Sequence, residues 1–127
     1  MTVWLSRELV IAIHNEQIAE HGGAPGLRDC GLLESALARP LNRAGYGTPD
    51  IAELAALYAI GIARNHPFVD GNKRASFGSL VTFLALNGLE LTVGEAEATA
   101  MTLRMGAGDI SDQDFTAWVR AHAAPQG

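Results

Sequence analysis

The sequence has 127 residues, of which 48% are hydrophobic and 18% are charged, and its net charge is −5 at neutral pH. This length and composition predict one globular domain and exclude a largely disordered chain. The excess of acidic residues argues against a general binder of nucleic acids or anionic membranes, because such proteins need a basic surface.

The N-terminal sequence and the cysteine content indicate the cellular compartment in which the protein is expected. The stretch MTVWLSRELV lacks the charged region and the long apolar core of a signal peptide. No apolar run approaches the length that spans a bilayer. Cys30 is the only cysteine and cannot form a disulfide within the chain, which fits a reducing compartment. A cytoplasmic protein without a membrane partner is therefore expected.

The first part of the chain has a helical pattern interrupted by loops. The first predicted helix covers residues 6–21, with Ser6 as its N-terminal cap and apolar residues recurring on one side. Residues 22–29, GGAPGLRD, contain three glycines and a proline, so they predict a loop. A short helix over residues 30–39 is predicted to end at Pro40, because proline interrupts the hydrogen bonds of a helix. A second loop is expected after it.

The middle of the chain predicts two longer helices. Asp50 begins a capping box for a helix over residues 51–66, which is apolar nearly all round and is therefore expected to be central and buried. Pro67 should end this helix, because the residue before a proline is steered out of the helical conformation. The next helix is predicted over residues 72–87, with Gly88 closing it.

The last part of the chain predicts a short extended segment, LELTV, followed by helices over residues 94–105 and 112–123. The tail AAPQG is expected to be loose. Together the elements predict an all-α fold, a compact bundle of about six helices, in a single domain over residues 1–127.

The stretch HPFVDGNKR, residues 66–74, joins the two longest apolar helices and predicts an anion site. Asp70–Asn72 lies at a helix start, where amide hydrogens without helical partners attract a phosphate, and Gly71 allows close approach to the backbone. Lys73 and Arg74 follow in the first helical turn, where each cation would cost about 0.3–1 kcal/mol against the helix dipole. A bound anion would explain this placement.

Two further side chains indicate chemistry at this site. Asp70 offers oxygen ligands to Mg²⁺, which prefers a carboxylate together with substrate phosphates. His66 can accept a proton from a hydroxyl at neutral pH. The alternative is purely structural, with His66 capping one helix and Asp70 opening an ordinary turn, but it does not explain the two cations. Elsewhere, His14 and His21 share a helix face without further metal ligands, so both are expected to be surface or packing residues.

The same stretch resembles the signature of the Fic/Doc family, His-x-Phe-x-Asp/Glu-Gly/Ala-Asn-Gly/Lys-Arg, at every fixed position. The segment HGGAPGLRDCG is similar to one that precedes the signature in the death-on-curing (Doc) toxin branch. The resemblance covers about residues 6–120 and implies the Fic/Doc fold. It also implies that His66 deprotonates a target hydroxyl, that Asp70 holds Mg²⁺ and that Phe68 anchors the loop. Asn72, Lys73 and Arg74, beside Gly71, would bind the phosphates of ATP.

One position departs from the adenylylating members of the family, which carry a second arginine three residues after the first. Phe77 stands there in this chain. The Doc branch also lacks that arginine and resembles a kinase that phosphorylates a threonine of elongation factor Tu, with ATP bound in the reverse sense. The resemblance therefore implies ATP and Mg²⁺ as cofactors and phosphate transfer to a Ser/Thr hydroxyl of a protein, which would stop translation. Nucleotidyl transfer is the alternative.

The resemblance also bears on partners. The family's self-inhibitory pattern, Ser/Thr-x-x-x-Glu-Gly/Asn, is absent, so inhibition is expected from a cognate antitoxin whose disordered tail folds onto an apolar groove. Residues 22–29 are either a plain connection or a flap that pairs its backbone with an extended target segment, through Gly22, Gly23, Gly26 and Leu27.

Two other function classes stay open. A catalytically silent, toxin-like binding module would have no need for the complete signature. An RNA-cleaving toxin would not fit the acidic balance of the chain. An ATP-dependent toxin that modifies a protein, without direct contact to nucleic acid, is the interpretation that the residues favour.

Overall fold

The computed structural model describes residues 1–127, which form six helices and one two-stranded sheet. None of the helices combines the length and the apolar character required to cross a membrane. The prediction of an all-α fold with about six helices is confirmed. The helices are α1 (Arg7–His21), α2 (Cys30–Ala44), α3 (Ile51–Asn65), α4 (Asn72–Leu86), α5 (Glu95–Gly106) and α6 (Asp112–His122).

The helices begin where capping side chains occur in the sequence. Ser6 accepts a hydrogen bond from the amide of Leu9, and Asp50 accepts one from the amide of Glu53. Such caps satisfy amide hydrogens that have no partner within the helix. Outside α2, every predicted helix end lies within one residue of the observed end.

Helix α3 is the centre of the fold, as its sequence predicts. Ten of its 15 residues are buried, and it packs against α2, α4 and α6. Gly61 lets α2 approach closely, since a Cβ atom at this position would lie 3.0 Å from the Cβ of Ala36. The rigid position of α3 fixes the point at which the HPFVDGNKR stretch begins.

The predicted end of α2 at Pro40 is wrong. The helix continues through the buried Pro40 to Ala44. Proline removes one helical hydrogen bond and costs about 3 kcal/mol inside a helix, so tertiary contacts must outweigh this cost. The long packing contact between α2 and α3 supplies them. Arg43 in the last turn also forms a 2.7 Å ion pair with Glu53 of α3.

The expectation of a loose C-terminal tail is also wrong. Residues Ala123–Pro125 form strand β2, which pairs antiparallel with β1 (Leu89–Leu91), the predicted extended segment. The proline lies at the end of a two-stranded sheet, where its missing amide hydrogen breaks no further ladder. The tail therefore closes the fold against the segment that follows α4.

We expect Asp50 to make stability depend on pH, because it links α3 to α6. Its carboxylate accepts two hydrogen bonds from the guanidinium of Arg120, at 2.7 and 3.2 Å, and these bonds lower the pKa of Asp50. A lowered folded-state pKa gives stability that is present above the unfolded pKa and is lost as the pH falls through the folded value. The pair is half exposed, so the contribution should stay below about 1 kcal/mol.

The substitution Asp50→Asn keeps a good capping side chain and removes the charge. Urea unfolding should find the variant less stable than the parent at pH 7, and this difference should shrink below about pH 4. The control is Asp109→Asn, since the Asp109 side chain is exposed and forms no salt bridge. A difference for Asp50→Asn that stays constant between pH 7 and pH 2 would contradict the linkage.

Candidate active site

His66 lies at the end of α3 in an uncommon backbone conformation. Its φ and ψ are 51° and 55°, and it is the one residue other than glycine with a positive φ. This left-handed conformation is disfavoured for residues with a Cβ atom and persists only where the surroundings hold it. The side chain is exposed. The helix end thus presents an accessible imidazole beside the loop of residues 67–71.

The loop between α1 and α2 lies directly against the residues that follow His66. The amide of Val69 donates to the carbonyl of Gly26 at 3.0 Å, and the amides of Arg28 and Asp29 donate to the carbonyl of Pro67 at 2.7 and 3.0 Å. These bonds form a short antiparallel bridge. The segment predicted as a flap is therefore tied to the signature loop by its backbone.

The other edge of this flap, residues 22–29, faces away from the loop. Leu27 stands opposite Phe68 in the bridge, and its own amide and carbonyl point outward because neighbouring residues of an extended chain alternate in direction. The Leu27 side chain is partly exposed, at 38%. This edge is free to pair with another extended segment, and target binding by the flap stays a prediction.

The two predicted flap glycines at the end of α1 have different structural roles. The amide of Gly22 caps α1 by donating to the carbonyl of Ile18. Gly23 has a φ of 114°, and a Cβ atom there would lie 2.8 Å from Oδ2 of Asp70. Only glycine permits this close approach of the flap to the carboxylate.

Phe68 is the buried anchor that the resemblance implies. It is 1% exposed, and its ring stacks on that of His14 with 3.8 Å between ring centroids and 5° between planes. Nε2 of His14 lies 2.7 Å from the carbonyl oxygen of Asp70. A carbonyl can only accept, so this nitrogen carries a proton. His14 of α1 thus supports the loop through its contacts with Phe68 and with the carbonyl of Asp70.

The sequence interpretation assigned His14 to packing or the surface. The packing role is correct, but the contact of His14 with the signature loop was missed. One signal was available, because His14 lies one helical turn from Val10 and Ile18 on the side that faces the core. A polar side chain at such a position needs a buried hydrogen-bond partner. His21, by contrast, is exposed.

Asn72 has its side chain turned into the loop. Its Oδ1 accepts from the amide of Phe68 at 2.9 Å, and its Nδ2 donates to the carbonyl of the same residue at 3.0 Å. Asn72 is buried, so these two bonds close the loop in a fixed shape. The backbone amide is therefore the group of Asn72 that remains for an anion.

The carboxylate of Asp70 is exposed and held by two amides. The amide of Ala24 donates to Oδ2 at 3.2 Å and that of Gly71 to Oδ1 at 2.8 Å, and these bonds lower the pKa of Asp70. An ionised carboxylate suits Mg²⁺, which binds one or two protein carboxylates and completes its shell with phosphates and water. The exposed carboxylate of Asp70 is therefore the side chain of the loop that could hold Mg²⁺.

The start of α4 has the features of an anion site. Gly71 has a φ of 73° and no side chain caps the helix, so the amides of its first turn have no capping partner. Neither Lys73 nor Arg74 forms a salt bridge. One Arg74 nitrogen donates to the carbonyl of Gly22 at 3.1 Å. Both cations line a cavity of about 270 Å³ between α1, α4 and α5, together with Phe77.

We expect Asn72→Ala to destabilise the protein by about 1–3 kcal/mol, because the amide and carbonyl of Phe68 would be buried without partners. Urea unfolding measures this loss. The matched control is Asn15→Ala on the exposed face of α1, which should change stability by less than about 0.5 kcal/mol. Equal stability of the two variants would mean that the loop keeps its shape without the Asn72 side chain.

Comparison with known proteins assigns the chain to a family. A model of the Fic/DOC family matches residues 4–84. Protein kinase Doc of Escherichia phage P1 is 35% identical over 108 residues, which cover 84% of this chain and 85% of that protein. Toxin Doc of Mycolicibacterium smegmatis is 40% identical over 94 residues, covering 72% of this chain and 69% of that protein. This chain belongs to the Fic/DOC family.

Proposed function

We propose that this protein is the toxin of a toxin–antitoxin pair and that it transfers a phosphate from ATP to a Ser or Thr hydroxyl of a target protein. Its similarity to proteins named protein kinase Doc and toxin Doc supports this proposal. The observation that carries it is the convergence of His66, the ionised Asp70 and the uncapped start of α4 on one short loop.

The proposed reaction uses these groups in separate roles. His66 accepts the proton of the target hydroxyl as the oxygen bonds to phosphorus and the bond to the leaving phosphate breaks. The first amides of α4, with Lys73 and Arg74, stabilise the negative charge on the phosphates. Asp70 would hold Mg²⁺, which neutralises phosphate charge when bound. The side chains of His14 and Asn72 keep the loop in shape without touching the reactants.

Transfer of the terminal phosphate fits the charge distribution better than nucleotidyl transfer. The position three residues after Arg74 carries Phe77, whose side chain offers no charge to a triphosphate tail. The positive charge is concentrated at Lys73 and Arg74, next to the helix start. We therefore assign the terminal phosphate to the end of the site near His66, with the remainder of the nucleotide directed along α4.

The target segment is proposed to bind in extended form along the free edge of the flap. The outward amide and carbonyl of Leu27 can continue the bridge that the flap makes with the signature loop. This mode delivers a hydroxyl from a flexible loop of a folded protein to His66. A translation factor such as elongation factor Tu is the target that we infer from the family resemblance.

The antitoxin is proposed to bind a second surface. An apolar groove of about 510 Å³ runs along α4, β1 and α5 and is lined by Phe77, Val81, Ala85, Leu89 and Val93, among others. The first three of these recur every four residues on one face of α4 and offer an apolar stripe to a partner helix. An antitoxin tail folded there would lie next to the cavity at Lys73 and Arg74, since Phe77 and Glu95 border both.

Transfer from separately labelled ATP tests the proposed activity. Cell lysate is incubated with the protein, Mg²⁺ and ATP labelled at either the α or the γ position, and proteins are separated on a gel. We expect one band labelled from the γ position only, and no band with His66→Ala. Label from the α position only would establish nucleotidyl transfer instead. No label from either, with growth arrest intact, would favour the silent binding module.

A further inference from the structure

The flap carries one side chain whose contacts are directed at the backbone of the proposed catalytic residue. Nε of Arg28 donates to the carbonyl of His66 at 2.8 Å, and Nη2 donates to the carbonyl of Asn65 at 3.2 Å. Both carbonyls lie at the C-terminus of α3, where helical partners are missing and the dipole favours a cation. We propose that Arg28 is a positioning residue that fixes the conformation of His66; this proposal rests on the proposed role of His66 as the base.

The main chain of Arg28 also contacts the segment that contains His66. Its amide donates to the carbonyl of Pro67 at 2.7 Å, so one residue binds three consecutive carbonyls, those of residues 65, 66 and 67. Asn65 is held from the other side, because its Nδ2 donates to the carbonyl of Leu32 in α2 at 2.9 Å. The segment around His66 is therefore fixed from the flap and from α2 together.

His66 needs such support because of its backbone conformation. Its positive φ is disfavoured for a residue with a Cβ atom, and it is the one such residue in the chain. The backbone conformation sets the direction in which the imidazole leaves the helix end. Without the guanidinium, the peptide between His66 and Pro67 can rotate, and the imidazole then leaves the helix end in a different direction.

The contacts of Arg28 distinguish this role from phosphate binding. Two of its nitrogens are engaged with carbonyls, and none bonds to the signature residues from Asp70 to Arg74. Loss of Arg28 should therefore lower turnover and leave nucleotide affinity nearly unchanged. A residue that contacted the phosphates directly would change both.

The kinetic test compares Arg28→Ala and Arg28→Lys with the parent. Arg28→Ala should lower kcat for phosphate transfer by at least about tenfold, since a small misplacement of a catalytic group has effects of this size. The Kd for ATP with Mg²⁺ should stay within about twofold. Arg28→Lys keeps the charge and loses the two-pronged geometry, so its kcat should be intermediate. The control, Arg104→Ala, removes an exposed arginine of α5 that forms no salt bridge.

Added methylguanidine should partly restore the kcat of Arg28→Ala and should have no effect on Arg104→Ala. A fall in ATP affinity as large as the fall in kcat would overturn the positioning role and indicate phosphate contact.

A second measurement does not depend on any activity. The three-bond HN–Hα coupling and the ¹³Cα shift of His66 in solution report its φ. We expect values for a positive φ in the parent and in Arg104→Ala, and values averaged with negative φ in Arg28→Ala. An unchanged coupling in Arg28→Ala would overturn the proposal even if the protein is a kinase. A changed coupling without any phosphate transfer would uphold the contact and refute the proposed function.

Discussion

Replacing His66 is expected to abolish phosphate transfer and growth inhibition while ATP still binds. A general base contributes about 10²–10⁴-fold to a rate, and Asp70, the other ionisable side chain of the loop, is assigned to Mg²⁺ in the proposed reaction. The imidazole lies at the end of α3, whereas the groups proposed to bind the phosphates belong to the start of α4, so ATP affinity should change by less than about twofold. Growth assays and ATP titration measure the two effects separately.

The design of the variant matters because His66 has a positive φ. Asparagine tolerates this conformation better than alanine and cannot act as a base near neutral pH, so His66→Asn removes the chemistry and keeps the backbone. His122→Ala at the end of α6 is the matched control and should remain toxic. Toxicity of His66→Asn equal to that of the parent, at equal expression, would falsify the catalytic assignment.

Replacing Phe68 by alanine is expected to have the largest effect on stability, a loss of about 3–5 kcal/mol. The ring is 1% exposed and stacks on His14, so its removal leaves a cavity between the signature loop and α1. The protein can close this cavity only in part. The contact between His14 and the carbonyl of Asp70 should loosen as well. Nucleotide binding should therefore weaken in addition to the loss of stability.

Phe115→Ala provides the matched control, since Phe115 is also fully buried but lies in α6, away from the signature loop. Both variants should lose similar amounts of unfolding free energy in urea. At a temperature where both are folded, only Phe68→Ala should bind ATP with Mg²⁺ more weakly than the parent. Equal weakening in the two variants would mean that Phe68 contributes to general stability and has no special effect on the site.

The sequence alone determined those features that depend on neighbouring residues. Caps such as Ser6 and Asp50 mark helix starts because a side chain bonds to an amide three residues later. Pro67 marks the end of α3 because it restricts the residue directly before it. The signature stretch could also be recognised from the sequence, since its residues are nine consecutive positions, and their chemical roles stay predictions. Periodicity and local steric effects suffice for such predictions.

Only the tertiary structure decided the features that join distant parts of the chain. Pro40 stays within α2 because packing against α3 outweighs a local penalty, and β2 exists because β1 offers it a free edge. His14 and the carbonyl of Asp70 are 56 residues apart, and Arg28 and His66 are 38 residues apart. A histidine or an arginine gives no local sign of which carbonyl it will reach, because that choice depends on how the helices pack. The residues that support the candidate site were therefore missed, whereas those proposed to react lie within the signature stretch, and their roles stay predictions.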